Sequence, residues 1–69
     1  MRSGEAQVRP SMLAEVVGEL ERGGAGTPAE IARRLGREWT EARVRAALAE
    51  LFSDGAVGHN PDVGFWWVA

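Results

Sequence analysis

The chain contains no cysteine, no lysine and no tyrosine, and it has no apolar run long enough to span a bilayer. Without cysteine there is no disulfide and no thiolate metal site, so 69 residues must hold together by packing alone or with a second copy. The absence of disulfides is typical of a reducing compartment. Residues 1–10 also lack the apolar segment of a signal peptide. We therefore expect a soluble cytoplasmic protein that does not bind membranes.

Because lysine is absent, all eight basic side chains are arginines, set against ten acids, and the formal net charge is −2. The arginines are not spread evenly. Residues 33–45, here called the basic segment, hold five arginines and two acids, a balance of +3, whereas the remainder has a balance of −5. An acidic body with one basic segment can present a positive face to an anionic partner. The alternative is a solvated helix surface with ordinary ion pairs.

Patterns that carry catalytic or metal chemistry are also missing. The lone His59 has no cysteine or second histidine to complete a metal site. The glycine-rich residues 23–26 lack the lysine and the preceding strand of a phosphate-binding loop. Glu15 and Glu19 share a helix face, but no neighbour would tune them for acid–base work. We expect no enzymatic activity, no catalytic residue, no metal and no cofactor.

The strongest helical pattern follows Trp39 and predicts the third of three helices. Apolar residues recur three, four, seven and eight positions after Val44, at Ala47, Leu48, Leu51 and Phe52. This spacing forms the apolar stripe of an amphipathic helix, and we expect the rest of the chain to pack on it. Thr40 is the predicted N-cap, and Gly55 is the predicted left-handed residue that ends the helix.

Trp39 stands at the junction of this helix with the one before it. We place its side chain in the core, in contact with Val44 or Leu48. The alternative, a tryptophan that stacks on a nucleobase, would need the indole to face away from the junction of the two helices.

Two shorter helices are predicted ahead of Trp39, after a flexible tail at residues 1–10. The first follows the N-cap Ser11 and ends at residues 23–26; its inward residues are Met12, Leu13, Val16, Val17 and Leu20. Residues 27–30, TPAE, form a capping box that starts the second helix, and Gly36 ends it. The inward residues of this second helix are Ile31, Ala32 and Leu35.

After Gly55 the apolar spacing changes to a period of two, which is typical of strands. Residues 56–60 and 65–69 flank residues 61–64, a segment rich in turn formers, and this pattern predicts a β-hairpin. The second strand carries Trp66 and Val68 on one face, and Phe65, Trp67 and Ala69 on the other. Both faces are apolar and only one needs to be buried. The other is either covered by the tail or left as an exposed aromatic patch.

Three helices and a hairpin, with a tight turn between the second and third helices, resemble the winged helix-turn-helix family. The resemblance covers residues 11–69 and rests on the segments TPAEIARRLG, WT, VRAALAELFSDGAV and GFWWVA. It implies one small α+β domain at residues 11–69, with the hairpin as the wing. In that family the third helix usually enters the DNA major groove and the wing contacts the backbone or minor groove. A short strand near Gly26 and Thr27 commonly joins the hairpin.

The resemblance and the basic segment together predict nucleic-acid-binding residues at Arg33, Arg34, Arg37, Thr40, Arg43 and Arg45, and wing contacts at His59 and Asn60. The outward positions of the third helix are alanines, which cannot hydrogen-bond a base edge. The tip of the wing carries Asp62 and no arginine or lysine. We therefore expect a transcription-regulator type of protein that contacts the sugar-phosphate backbone of duplex DNA and has low sequence specificity.

The alternative function is a protein-interaction or dimerisation module that does not bind DNA. Its predicted interface combines small and aromatic residues at Ala42, Ala46, Ala49, Phe65 and Trp67. An alanine ridge would let a partner helix approach closely, and the two aromatic side chains could anchor an interface. The partner would be a second copy or another protein. A homodimer could also support DNA binding by contacting two half-sites.

Overall fold

In the computed structural model, which describes residues 9–69, three helices precede a two-stranded antiparallel sheet. The elements are α1 (Pro10–Gly23), α2 (Pro28–Leu35), α3 (Glu41–Ser53), β1 (Val57–Asn60) and β2 (Phe65–Val68). This order confirms the predicted α+β arrangement and is consistent with a winged-helix layout. Residues 1–8 of the predicted tail lie outside the described residues.

Threonine side chains cap the starts of α2 and α3. The Thr27 hydroxyl accepts a hydrogen bond from the Glu30 N–H at 3.2 Å, and the Glu30 carboxylate accepts one from the Thr27 N–H at 3.0 Å. These two bonds complete the predicted capping box. At the start of α3 the Thr40 hydroxyl accepts the Arg43 N–H at 3.1 Å. Both starts therefore follow from local sequence.

The start of α1 differs from the prediction by two residues. Pro10, which we assigned to the tail, is the first residue of the helix, and Arg9 stands in the N-cap position in place of Ser11. Arg9 makes no side-chain capping bond. Proline suits the first helical position because its fixed φ is already helical and its missing N–H would have no partner there.

A glycine ends α3 and directs the chain into β1. Gly55 has a φ of +79°, the left-handed conformation that other residues resist. Its N–H donates to the Phe52 carbonyl at 3.0 Å, and the Ala56 N–H donates to the Leu51 carbonyl at 2.9 Å. These are the two bonds of a Schellman motif, so the predicted role of Gly55 is confirmed.

The core draws on all three helices and the first strand. Its buried apolar residues are Val16, Leu20, Ile31, Ala32, Val44, Ala47, Leu48, Leu51 and Val57. Trp39 is only partly buried and packs against the edge of this cluster, so its predicted place in the core is confirmed in part.

Phe52 was expected in the buried stripe of α3, and that expectation is wrong. The side chain is 53% exposed. It lies at the edge of the stripe, where its ring meets His59 and Trp66 edge-on, with centroids 6.4 and 6.0 Å away. The spacing of apolar residues gives the direction of a side chain on a helix but does not say what covers it.

The register of the hairpin decides which face of the sheet is buried. Val57 pairs with Val68 and His59 with Trp66, and these residues are buried or half-buried. Gly58 and Asn60 pair with the exposed residues Trp67 and Phe65 on the outer face. The open question of the two apolar faces is thus answered: Trp66 and Val68 point towards the core, and Phe65 and Trp67 point away from it.

A third short segment joins the sheet beside β2. The Gly26 N–H donates to the Trp66 carbonyl at 3.1 Å, and the Trp66 N–H donates to the Gly26 carbonyl at 2.9 Å. This bridge matches the extra strand that the winged-helix resemblance implied near Gly26 and Thr27. It ties the loop between α1 and α2 to the hairpin.

The difference between Leu48 and Phe52 can be tested by truncation. Leu48→Ala should lower the free energy of unfolding by about 2–5 kcal/mol, because it empties a fully buried site. Phe52→Ala should cost about 1–2 kcal/mol, less than half the usual cost of removing a buried phenylalanine, because its ring already contacts water. Urea unfolding followed by circular dichroism measures both. A larger loss for Phe52→Ala would contradict the described core.

Candidate nucleic-acid interface

The five arginines of the basic segment do not share one role, and Arg34 is the one whose role is most clearly structural. Its two terminal nitrogens donate to the carbonyls of Gly24 and Ala25, at 3.0 and 3.2 Å. These bonds tie α2 to the loop that precedes it. The guanidinium also fills the space beside Gly26, where an added Cβ would lie 2.8 Å from its Nη2 atom. Arg34 therefore holds the loop in place.

Arg43 and Arg45 project from opposite flanks of α3, because residues two apart are separated by about 200° around a helix. The Arg43 Nη1 atom donates to the Glu38 carbonyl at 3.0 Å, across the turn before α3. The Arg45 Nε atom donates to the Glu41 carboxylate at 3.1 Å, which forms an ion pair one turn apart on the helix. Both arginines are thus partly engaged within the fold.

Arg33 and Arg37 differ from the other three. Neither makes a hydrogen bond or an ion pair with any residue between 9 and 69, and both are exposed. We call these two the open arginines. They are the members of the basic segment whose guanidinium groups can approach a ligand without first losing an intramolecular bond within the described chain.

The open arginines border a shallow concavity of about 490 Å³ between α2 and α3, here called the α2–α3 concavity. Its small-residue lining is Ala29, Ala32 and Gly36. Trp39 forms part of the lining, and Glu41 is the one acid that contributes to it. Because the Glu41 carboxylate is paired with Arg45, the concavity has a positive rim and an apolar floor. An anion with a flat or apolar part would match both features.

Trp39 also borders a second concavity on the side of α1. Its other polar lining residues are Arg9, Ser11, Glu15, Glu38 and Arg43. Two acids balance two arginines there. The tryptophan therefore stands between a positive concavity and a neutral one, which the sequence alone did not indicate.

The outer face of α3 offers few groups that could identify bases. The helical spacing predicted outward positions for Ala42, Ala46 and Ala49. Ala42 and Ala49 are exposed as predicted, whereas Ala46 is half-buried. The Thr40 oxygen already accepts the Arg43 N–H. Alanine methyl groups can touch a thymine methyl but provide no hydrogen bond to a base edge.

The predicted wing residues have structural contacts of their own. His59 stacks on Trp66, with ring centroids 3.8 Å apart and planes 10° from parallel, so its ring belongs to the inner face of the hairpin. The Asn60 side-chain oxygen accepts the Asp62 N–H at 3.0 Å, and its carbonyl accepts the Gly64 N–H at 2.8 Å. The contact between His59 and Trp66 could have been predicted from the sequence, because counting residue pairs back from the hairpin loop places these two residues opposite each other.

The outer face of the hairpin carries the aromatic part of the predicted protein interface. Phe65 and Trp67 are 39% and 40% exposed. The Trp67 indole lies over Gly58, where an added Cβ would come within 2.5 Å of its Nε1 atom. The glycine thus gives the indole a flat support, and both aromatic side chains of this face remain partly in contact with water.

Two further observations on residues 9–69 concern membranes and metal ions. None of the helices described is long and apolar enough to cross a membrane. Within the same residues, no group of three or more histidine, aspartate or glutamate side chains is placed to hold a metal ion.

Comparisons of the chain with protein-family models, with curated proteins and with solved structures found no match. The function proposed below is therefore argued from the geometry and charge of this chain.

The different roles of Arg33 and Arg34 should appear in stability measurements. Arg34→Gln removes two hydrogen bonds to loop carbonyls, and we expect it to lower the free energy of unfolding by about 1 kcal/mol. Arg33→Gln removes the same charge from the next position and should stay within about 0.5 kcal/mol of the parent chain. Urea titrations at one ionic strength compare them. Equal losses for the two variants would contradict the division.

Proposed function

We propose that the chain is a small winged-helix domain of the transcription-regulator type, which binds duplex DNA through its phosphates with low sequence specificity. The observation that carries this proposal is the pair of open arginines at the rim of the α2–α3 concavity. Guanidinium groups bind phosphate oxygens through two parallel hydrogen bonds, which makes arginine well suited to phosphate contacts. The proposed module binds and does not catalyse.

Low specificity is proposed because of the outer face of α3. Strong discrimination between bases needs side chains such as arginine, asparagine or glutamine at a base edge. Ala42, Ala46 and Ala49 provide none of these groups. Contacts to phosphates would fix the position of the protein on the duplex while carrying no sequence information.

Salt dependence provides the test. Each phosphate contact contributes about −0.9 to the slope of log K against log salt concentration on duplex DNA. Replacing both Arg33 and Arg37 by glutamine should reduce the magnitude of this negative slope by about 1.8 and weaken binding to all sequences alike. Fluorescence anisotropy with a labelled random duplex over a range of salt concentrations measures the slope.

Arg22→Gln is the control for the loss of one charge, and it is compared with Arg33→Gln alone, which should reduce the magnitude of the slope by about 0.9. Arg22 lies on α1, outside the basic segment, and its Nη2 atom is paired with the Glu19 carboxylate at 3.1 Å. It should leave the slope unchanged. The proposal is wrong if the parent chain fails to bind duplex DNA even at low salt, or if Arg22→Gln affects the slope as much as Arg33→Gln does.

The second candidate function is self-association through the outer face of the hairpin, and the exposure of Phe65 and Trp67 supports it. Large exposed aromatic side chains are typical anchors of protein interfaces. A second copy can use the same surface when two chains are related by a twofold axis, so that one patch serves both partners.

This candidate predicts a mass that doubles with increasing protein concentration in sedimentation equilibrium. Exchanging Phe65 and Trp67 together for serine should restore the monomer, because both side chains lie outside the core. Val63→Ser, which removes an apolar side chain that is 59% exposed in the hairpin loop, is the control and should leave the dimer intact. A parent chain that stays monomeric at every concentration would eliminate this candidate.

A further inference from the structure

We infer that Trp39 is a stacking platform for an unpaired base of a DNA strand, with the open arginines holding the phosphates on either side of that base. The inference rests on the proposed nucleic-acid binding and names the form of DNA that the interface prefers. Duplex DNA would use the two arginines alone, whereas a single strand would use the arginines and the indole together.

The first support is the fixed backbone from which the indole projects. The Trp39 backbone N–H donates to the Gly36 carbonyl at 3.0 Å, and the next residue, Thr40, caps α3. The side chain itself is partly buried and packs against the core. An aromatic ring held in this way loses little conformational freedom when a ligand stacks on it. Although Trp39 lies at the helix junction, it is partly exposed, so part of the ring is open to a ligand.

The second support is the shape beside the ring. Besides Trp39, the open arginines and Glu41, the α2–α3 concavity is lined by the small residues Ala29, Ala32 and Gly36, which leave an open space between these larger side chains. A flat base could therefore enter from the open side. The volume of the concavity, about 490 Å³, lies within the range of about 300–1,000 Å³ that is typical of small-ligand sites.

The third support is the unequal charge on the two sides of Trp39. The α2–α3 concavity carries the open arginines, and its single acid is already paired with Arg45. The concavity on the side of α1 holds Glu15 and Glu38 against Arg9 and Arg43. A phosphate-bearing strand is attracted to the first side and gains nothing on the second. Charge complementarity therefore selects both the occupant and the face of the ring.

An unpaired base is required because a base inside a duplex is covered on both faces by its neighbours. Single-stranded DNA offers free faces along its whole length, and every base can stack on an aromatic ring. A positively charged groove that follows the backbone, with an aromatic ring between the phosphate contacts, is a common arrangement for single-strand binding.

The test compares one strand of about 12 nucleotides with its own duplex by fluorescence anisotropy. The parent chain should bind the single strand about tenfold more tightly, as one stacked base would provide. Trp39→Leu should abolish this preference and leave the affinity for the duplex within about twofold. Trp39→Phe keeps a ring and should retain part of the preference. Phe52→Leu, which changes an exposed aromatic side chain outside both the α2–α3 concavity and the outer face of the hairpin, is the control and should retain all of it. Trp67→Leu tests the hairpin as an alternative platform.

A fluorescence measurement covers the case in which Trp39→Leu does not fold. In a chain with both Trp66→Phe and Trp67→Phe, Trp39 is the only tryptophan. The single strand should quench its emission, and the duplex should not. Absence of quenching by a bound single strand would overturn the inference.

The outcomes separate this inference from the function on which it rests. Equal affinity for the single strand and the duplex, both lost when the open arginines are replaced, would overturn the stacking role and leave DNA binding in place. A preference that survives Trp39→Leu and disappears in Trp67→Leu would move the platform to the hairpin and overturn the inference. Failure to bind either form would overturn both.

Discussion

The burial of one face of α3 is the interaction on which the rest of the structure depends. Val44, Ala47, Leu48 and Leu51 form a stripe that only the combined surfaces of α1, α2 and the hairpin can cover. A domain of this size is expected to fall near the lower end of the usual stability range, about 5 kcal/mol, so one buried side chain contributes a large part of it. The opposite side of α3 carries mainly alanine, at positions 42, 46 and 49. Groups able to bind a ligand are therefore displaced to the edges of the helix.

This displacement explains why the candidate interface lies at the α2–α3 junction and not along the centre of α3. The basic segment supplies five arginines, but the fold uses Arg34 to hold a loop, Arg43 to bridge a turn and Arg45 to pair with Glu41. The open arginines, Arg33 and Arg37, are the two that have no such contact among residues 9–69. Their position beside Trp39 combines positive charge with an aromatic surface, which favours a ligand that carries phosphates and flat rings. The same arrangement provides little means of distinguishing one base sequence from another.

Most local features of the fold could be predicted from the sequence, with the start of α1 as the exception, whereas several features that depend on long-range packing could not. The caps at Thr27 and Thr40 and the stop at Gly55 were predictable, because each depends on residues within one turn. Phe52 was placed wrongly because periodicity does not say which element covers the edge of a stripe. The buried face of the hairpin was undecided because both faces are apolar, and only the pairing register separates them. The division among the arginines depends on where the loop carbonyls of Gly24 and Ala25 lie, which no spacing of residues reveals.

The central claim is that the open arginines form the contact surface for DNA. Nuclear magnetic resonance can test it directly, by following the arginine Nε–Hε signals and the backbone amides while a random duplex is added. We expect the signals of Arg33 and Arg37, together with amides of the turn at residues 36–40, to shift most, with little change at β2. Shifts confined to the hairpin, or no shifts at low salt, would contradict a DNA contact surface at the open arginines.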